Sequence, residues 1–379
     1  MVENRTSFEE IFHNNEFKHL NLSLSRISKA LKEINFNERD LGKIIHIAGT
    51  NGKGSTAKFL ADMLLNEQYN VALYTSPHID RINERIAYNG ECISDDEMDG
   101  LFSKLKSVVV NNKLSYFEAL TLLAFKYFSN KQPQYSIIET GLGGRFDATN
   151  VLETKLPVIT SISFDHNDIL GKNIFRIADE KLAIVKDNRY IFVGYNKSFM
   201  KQYIETQLSG RSIFFTDEPD DDGLHYPYPY CYNYMLAKEM FYYLIGEKYD
   251  GDLPFLPPCR FEIYDRFIID GTHTVNGLIE LFKNFTEKPD VIFSLTKERD
   301  VFTFINILKK YGNRIILTEI PENDRSIKIS SVDIEDVKLI KDPISAIKYM
   351  INNHDSKPVL ITGSFYLCAY LRRYLTKIL

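Results

Sequence analysis

The feature that most limits what this chain can become is the stretch IIHIAGTNGKGSTAKFLADML. An apolar run at residues 44–48 feeds a glycine-rich turn at 49–56, and a helical pattern follows. Strand, glycine loop and helix in that order call for a parallel sheet covered by helices, with the loop at the carboxyl end of a buried strand. Across Gly49, Thr50, Asn51, Gly52, Lys53, Gly54, Ser55 and Thr56, backbone N–H groups turn toward an anion. Lys53 then reaches the outer phosphates of a nucleotide, and Ser55 or Thr56 approaches Mg2+. The strict Walker spacing is not met, because Gly54 separates Lys53 from Ser55.

The chain's 379 residues suggest two domains. Leu24, Ile27, Leu31 and Ile34 recur at helical spacing ahead of the loop. Beyond it, strand-like runs at 71–74, 135–138, 156–162 and 190–193 alternate with helical segments to residue 246, which reads as one α/β domain over 1–246. GEKYDGDLPFLPPC, residues 246–259, holds three prolines and two glycines without periodicity, so a linker is expected over 247–259. Runs at 267–269, 291–294, 314–318 and 359–362 predict a smaller Rossmann-like domain over 260–379. The acidic run DEPDDDG at 217–223 reads as a solvated loop.

Four further clusters carry chemistry. In SIIETGLGGRFDATN, Glu139 closes a strand before a glycine-rich path, where a single carboxylate suits Mg2+ alongside phosphate and water. SISFDHNDILG and IADEKLAIVK put Asp165 and His166 at another strand end and Lys181 on the next helix, and in LYTSPHIDRINERI the stretch Thr75-Ser76-Pro77-His78 ends a strand and could supply a hydroxyl to metal or substrate. Arg260, Asp270 and His273 give a cation and an acid/imidazole pair at a strand end of the second domain. Taken singly, Glu139 could merely close a strand, His166 could be a hydrogen-bonded core histidine, and Asp270 and His273 could cap a turn.

Lys plus Arg number 46 against 51 Asp plus Glu, so the net charge of -5 lacks the basic excess of a nucleic-acid binder. MVENRTSFEEIFHNN has no apolar core and does not read as a signal peptide, and no apolar run approaches the roughly 18 residues of a spanning helix. A cytoplasmic protein without membrane contact is expected. Cys92, Cys231, Cys259 and Cys368 lack C-x-x-C spacing and read as reduced thiols.

In this order the segments NLSLSRISKAL, GTNGKGST, YTSPHIDRINERI, ETGLGGRFDATN, SFDHNDILG, DEKLAIVK, DGTH and TGSFYLCAYLRRYL resemble the folylpolyglutamate synthase/dihydrofolate synthase family, a branch of the Mur ligase superfamily. The resemblance covers nearly the whole chain and implies a phosphate-loop Mur-ligase-type ATPase domain followed by a smaller Rossmann-like one. It implies ATP-dependent joining of L-glutamate to the carboxylate of dihydropteroate or a reduced folate, giving ADP and phosphate, by a monomer. By position, Lys53 and its loop would hold the ATP phosphates, with Asn233, Arg260 and Asp270 also on the nucleotide. Ser76, Glu139, His166 and a carbamylated Lys181 would hold two Mg2+ ions. Lys53, His166, Lys181 and His273 would act in catalysis, with the second-domain groups closing onto the nucleotide. Pro77, His78, Arg81, Phe146, Asp147 and Thr149 would receive the folate.

The chain departs from the family where DGAHNP becomes Asp270-Gly271-Thr272-His273-Thr274-Val275, and where a His-Gln pair becomes Pro229-Tyr230. Arg260 also lies close to Asp270, which implies a trimmed hairpin. Two other readings share part of the pattern. A Mur-type UDP-sugar amino acid ligase generally carries an additional N-terminal domain, whereas 43 residues precede the first strand here. A non-catalytic phosphate-loop nucleotide-binding protein would leave Glu139, His166 and Lys181 without a role.

Overall fold

Strand β1 (Lys43–Ala48) is buried at every residue after Lys43, as a central strand covered on both faces must be. The computed structural model describes residues 8, 12, 23–165, 171–219, 225–321, 323–332, 334–353 and 356–378. The chain divides into two compact units, Met1–Asp222 with Tyr232–Pro254, and Gly223–Cys231 with Phe255–Leu379.

In the first unit β1 joins β2 (Val71–Tyr74), β3 (Ile86–Tyr88), β4 (Glu91–Cys92), β5 (Tyr135–Glu139), β6 (Leu156–Ile159), β7 (Tyr190–Val193) and β8 (Ser212–Phe215). Their order is β4-β3-β2-β5-β1-β6-β7-β8, parallel except where β3 meets β2 and β4. The register sets Ile47 beside Glu139 and Ala48 beside Ile159, so three strands deliver their carboxyl ends to one place. β6 stops at Ile159 rather than running to 162, because Thr160, Ser161 and Ser163 turn to bond the glycine loop. One face of the sheet carries the helix Tyr116–Lys131, whose Leu120, Phe125 and Phe128 share a core with Ile27 of the helix Ser25–Glu33 and Phe102 of the helix Asp95–Asn111. Ser94 and Ser115 each cap their helix reciprocally with a glutamate three residues on, Glu97 and Glu118.

The second unit holds β9 (Glu262–Tyr264), β10 (Phe267–Ile269), β11 (Asp290–Phe293), β12 (Ile315–Leu317), β13 (Lys338–Leu339) and β14 (Val359–Thr362), ordered β13-β12-β11-β14-β10-β9. Only β9 is antiparallel, joined to β10 by the two-residue turn Asp265-Arg266 in which Asp265 takes a left-handed φ of 51°. That turn is the short hairpin implied by the close spacing of Arg260 and Asp270.

The proline-rich segment is anchored at both ends. Tyr249 is buried, accepting from Asn66 Nδ2 (2.5 Å) and donating to the Asp252 carbonyl (2.5 Å), while Cys259 is buried in the other unit. Phe255, at the division between units, is 87% exposed. Among the described residues no helix is long and apolar enough to cross a membrane.

Asp290, fully buried at the start of β11, accepts from Asn313 Nδ2 (2.9 Å) and from the backbone N (3.1 Å) and guanidinium of Arg314. Asp290→Ala removes a fully buried acceptor from the Asn313 amide and from the backbone and side chain of Arg314, and should cost about 2 kcal/mol. Urea unfolding measures it, and a loss below about 1 kcal/mol would show the pair to be dispensable.

Candidate active site

Past Ala48 the chain bends through residues 49–52 into the helix Lys53–Asn66, and the exit of β6 fixes that bend. Thr50 N donates to the Ser161 carbonyl (2.6 Å), and the Thr50 hydroxyl both donates to the Ser163 carbonyl and accepts from Ser163 N (3.0 Å each). Thr160 Oγ1 donates to the Asn51 carbonyl at 2.7 Å. Gly52 has a φ of 86°, and a Cβ there would overlap the side-chain amide of Asn233. Gly52 is also the helix N-cap and provides no side-chain acceptor, so the first-turn N–H groups are left for an external anion. Thr56 Oγ1 in that first turn is buried without a hydrogen-bond partner among the described residues.

Charge is concentrated beside the loop. Lys53 Nζ lies 3.4 Å from the Thr50 carbonyl and 3.8 Å from Glu139 Oε1. Glu139 is buried at the end of β5, and its Oε2 accepts from Ser76 N at 3.0 Å. Lys181, on the helix Ile174–Leu182, is buried and donates to the Gly49 carbonyl at 2.9 Å. Burial above all, and then the charge of Lys53, lower its pKa to about 7 against the opposing pull of Asp165 and Asp147. A substantial neutral fraction therefore exists at neutral pH.

Ser76 and Glu139 offer hard oxygens next to the glycine-rich loop, and no group of three His, Cys, Asp or Glu side chains suited to a metal is found among the described residues. That donor set fits Mg2+, which takes a carboxylate or two and completes its shell with phosphate and water. His166 lies outside the described residues.

The remaining expected residues are dispersed. Pro77 is exposed, Arg81 pairs with Asp95 at 2.6 Å on the surface, and Phe146 is 41% exposed. His78 accepts at Nδ1 from Arg85 Nε (2.9 Å), and Arg85 is itself buried over the Tyr116 ring. Asp147 and Thr149, expected to face a folate, are buried and bonded to each other. In the second unit the Arg260 guanidinium lies 4.0 Å from the Phe365 ring centroid, and His273 meets the same ring edge-on. Asp270, expected on the nucleotide, is fully buried and accepts from Tyr230 Oη (2.6 Å), Phe261 N (2.9 Å) and Thr272 N (2.9 Å). Tyr230 is one of the departures from the family pattern, and its hydroxyl goes to Asp270. The sequence does not single out His46 or Arg85 as site residues, and of these only His46 carries a signal, as the one polar residue inside the apolar run 44–48.

Residues 47–220 match the Mur ligase middle domain. The dihydrofolate synthase/folylpolyglutamate synthase of Bacillus subtilis (strain 168) is 30% identical over 93% of this chain and 94% of its own length. The folylpolyglutamate synthase of Lacticaseibacillus casei is 27% identical over 89% and 91%. The fold is shared with the bifunctional folylpolyglutamate synthase/dihydrofolate synthase of Yersinia pestis CO92, with a TM-score of 0.83, 24% identity and 97% of each chain covered. It is shared also with the Mycobacterium tuberculosis folylpolyglutamate synthase complexed with ADP and AMPPCP, with a TM-score of 0.81, 23% identity and 93% and 95% covered.

The loop geometry makes Gly52→Ala informative. With its left-handed φ and the Asn233 amide against it, the substitution should weaken nucleoside triphosphate binding at least about tenfold while circular dichroism is unchanged. Calorimetric titration giving wild-type affinity would contradict the assignment of this loop to phosphate.

Proposed function

We propose, from the premise that this chain belongs to the folylpolyglutamate synthase/dihydrofolate synthase family and is an ATP-dependent amide-forming ligase, that it joins L-glutamate to dihydropteroate or a reduced folate through an acyl phosphate. A carboxylate and an amine do not condense at neutral pH. The acceptor carboxylate therefore attacks the γ-phosphorus of ATP and ADP leaves. The glutamate amine then attacks the acyl carbon, the tetrahedral adduct expels inorganic phosphate, and the nitrogen releases its proton to give the amide. The difficulty is electrostatic, since two anions must meet.

The observation that carries this reading is the convergence of Lys53, Glu139 and Lys181 on one glycine loop. The Lys53 ammonium and the uncapped helix N-terminus draw the triphosphate, and Asn233 shapes the loop from behind. Ser76, Glu139, His166 and a carbamylated Lys181 would hold two Mg2+ ions, which supply charge neutralisation between the phosphates and the attacking carboxylate. An unmodified Lys181 ammonium would repel those cations, whereas its neutral amine adds to CO2 and releases a proton, leaving an anionic carbamate with oxygen donors.

Pro77, His78, Arg81 and Phe146 are assigned to the acceptor, with Asp147 and Thr149 behind them. Arg260 and His273 are assigned to the reacting phosphate, and Asp270 to orienting the backbone between them, as its bonds to Phe261 N and Thr272 N support. Domains at 1–246 and 260–379 with a hinge over 247–259, action as a monomer and a cytoplasmic location complete the proposal.

Purified enzyme should hydrolyse ATP only when L-glutamate and an acceptor are both present, and dihydropteroate and tetrahydrofolate assayed side by side assign the acceptor. Hydrolysis indifferent to glutamate would overturn the reading. With 13C-bicarbonate, a carbamate carbon resonance should strengthen as pH rises through about 7, because the amine loses its proton in that direction. Lys181→Ala should lack the resonance and turn over at least about a hundredfold more slowly, with short carboxylates restoring part of the rate. A fully active Lys181→Ala would remove the carbamate from the mechanism.

A further inference from the structure

His46 lies in the middle of β1, three residues before the glycine loop, with no solvent exposure. Its Nε2 is 2.8 Å from Thr149 Oγ1, and Thr149 Oγ1 donates to Asp147 Oδ1 at 2.5 Å. Asp147 also accepts from Thr149 N (3.0 Å) and Leu142 N (2.8 Å), so its carboxylate meets donors from both ends of the loop that follows Glu139. These bonds fix the direction of the whole chain. The carboxylate is an acceptor, so the Thr149 hydroxyl spends its hydrogen on Asp147 and must accept from the histidine. His46 is therefore the Nε2–H tautomer, and Nδ1 is a bare lone pair, the atom that has no partner among the described residues. Burial above all, and then the charge of Lys186, lower the pKa of His46 to about 3, so the ring stays neutral at any working pH.

The loop held this way does more than cover the sheet. Arg145 N donates to the Glu180 carbonyl (2.9 Å), and Asn150 Nδ2 donates to the carbonyls of Arg145 (3.2 Å) and Ala183 (3.3 Å). Gly144 presses so closely on the same helix that a Cβ would overlap the Glu180 carbonyl and lie 3.1 Å from Lys181 Cα. The loop thus carries Phe146 at its surface and braces the helix that presents Lys181.

We propose that His46 is a positioning residue for the ligase reaction. Through the Thr149 hydroxyl and the Asp147 carboxylate it ties the strand that delivers the phosphate loop to the loop that shapes the acceptor site. The inference rests on the acceptor reading for Phe146 given above and deepens it: one buried hydrogen-bond chain holds the acceptor loop in place against the strand, so breaking it releases that loop while the strand keeps its own ladder bonds.

The test uses the full-length enzyme with ATP, L-glutamate and whichever folate acceptor it turns over. His46→Leu and Thr149→Val should each raise the KM for the acceptor about tenfold, the loss expected for one buried hydrogen bond, while the KM for ATP stays within about twofold. The double variant should be no worse than the poorer single one, because both break the same chain. His46→Gln, which keeps an N–H at the ε position, should restore most of the acceptor affinity. Losses that multiply in the double variant, or a His46→Gln as impaired as His46→Leu, would overturn the proposal. Should the leucine variant fail to fold, nitrogen-15 NMR of the wild-type protein still decides it. A protonated Nε2 with an unprotonated Nδ1 at neutral pH supports the chain, and the opposite tautomer refutes it. That spectrum does not depend on the reaction, so absence of glutamate-dependent turnover would sink the functional reading and leave the hydrogen-bond chain to be judged separately.

Discussion

A buried amine, Lys181, beside the glycine loop is the constraint around which the surrounding groups are organised, with burial first and the charge of Lys53 second acting against its charged form. Lys53 is answered by Glu139 and Lys181 by the Gly49 carbonyl, while the side chains of Asp165 and Asp147 draw the second amine back toward its charged form. Removing the proton from Lys181 relieves the cost of keeping its charge away from water. The burial that would be a fault in a structural core therefore makes this amine chemically adjustable.

Much of this could be read along the chain. The strand, glycine loop and helix around Lys53 were legible because each part has its own local signature, and a glutamate closing an apolar run before three glycines was legible for the same reason. What stayed hidden depends on pairings between distant residues. A histidine in KIIHIA says nothing of Thr149, and Arg85 gives no sign that it supports His78 or lies over Tyr116. Buried polar side chains are specified by their partners, and partners at separations as unlike as 7 and 103 residues leave no fixed spacing to detect. The extension of β6 to residue 162 failed for a related reason, since Thr160 and Ser161 look acceptable in a strand until the loop they bond is placed beside them.

The second unit shows how a departure from a family pattern is absorbed. Tyr230 fills its position with an apolar ring and a hydroxyl, and that hydroxyl becomes a third donor to Asp270, a carboxylate with no exposure to water. Burial and the neighbouring carboxylate push the phenol well above its ordinary range, so it remains a donor. Asp270 then holds Phe261 N and Thr272 N, and the chain on either side leads to Arg260 and His273 around the Phe365 ring. The acid organises its cationic and imidazole neighbours through the backbone.

The strand order also bears on how the protein is made. β1 is complete by residue 48, yet its neighbours on either side, β5 and β6, end at residues 139 and 159. The bonds that bend the phosphate loop come from Thr160, Ser161 and Ser163. During synthesis on the ribosome the loop therefore waits while more than a hundred residues emerge, with an apolar strand and both of its edges unpaired. The helices Ser25–Glu33 and Lys53–Asn66 flank β1 in the chain, and their apolar faces are the first surfaces available to shelter it. The bend of the glycine loop is therefore set only once the chain has passed Ser163, with β7 and β8 still to be added at the sheet's edge.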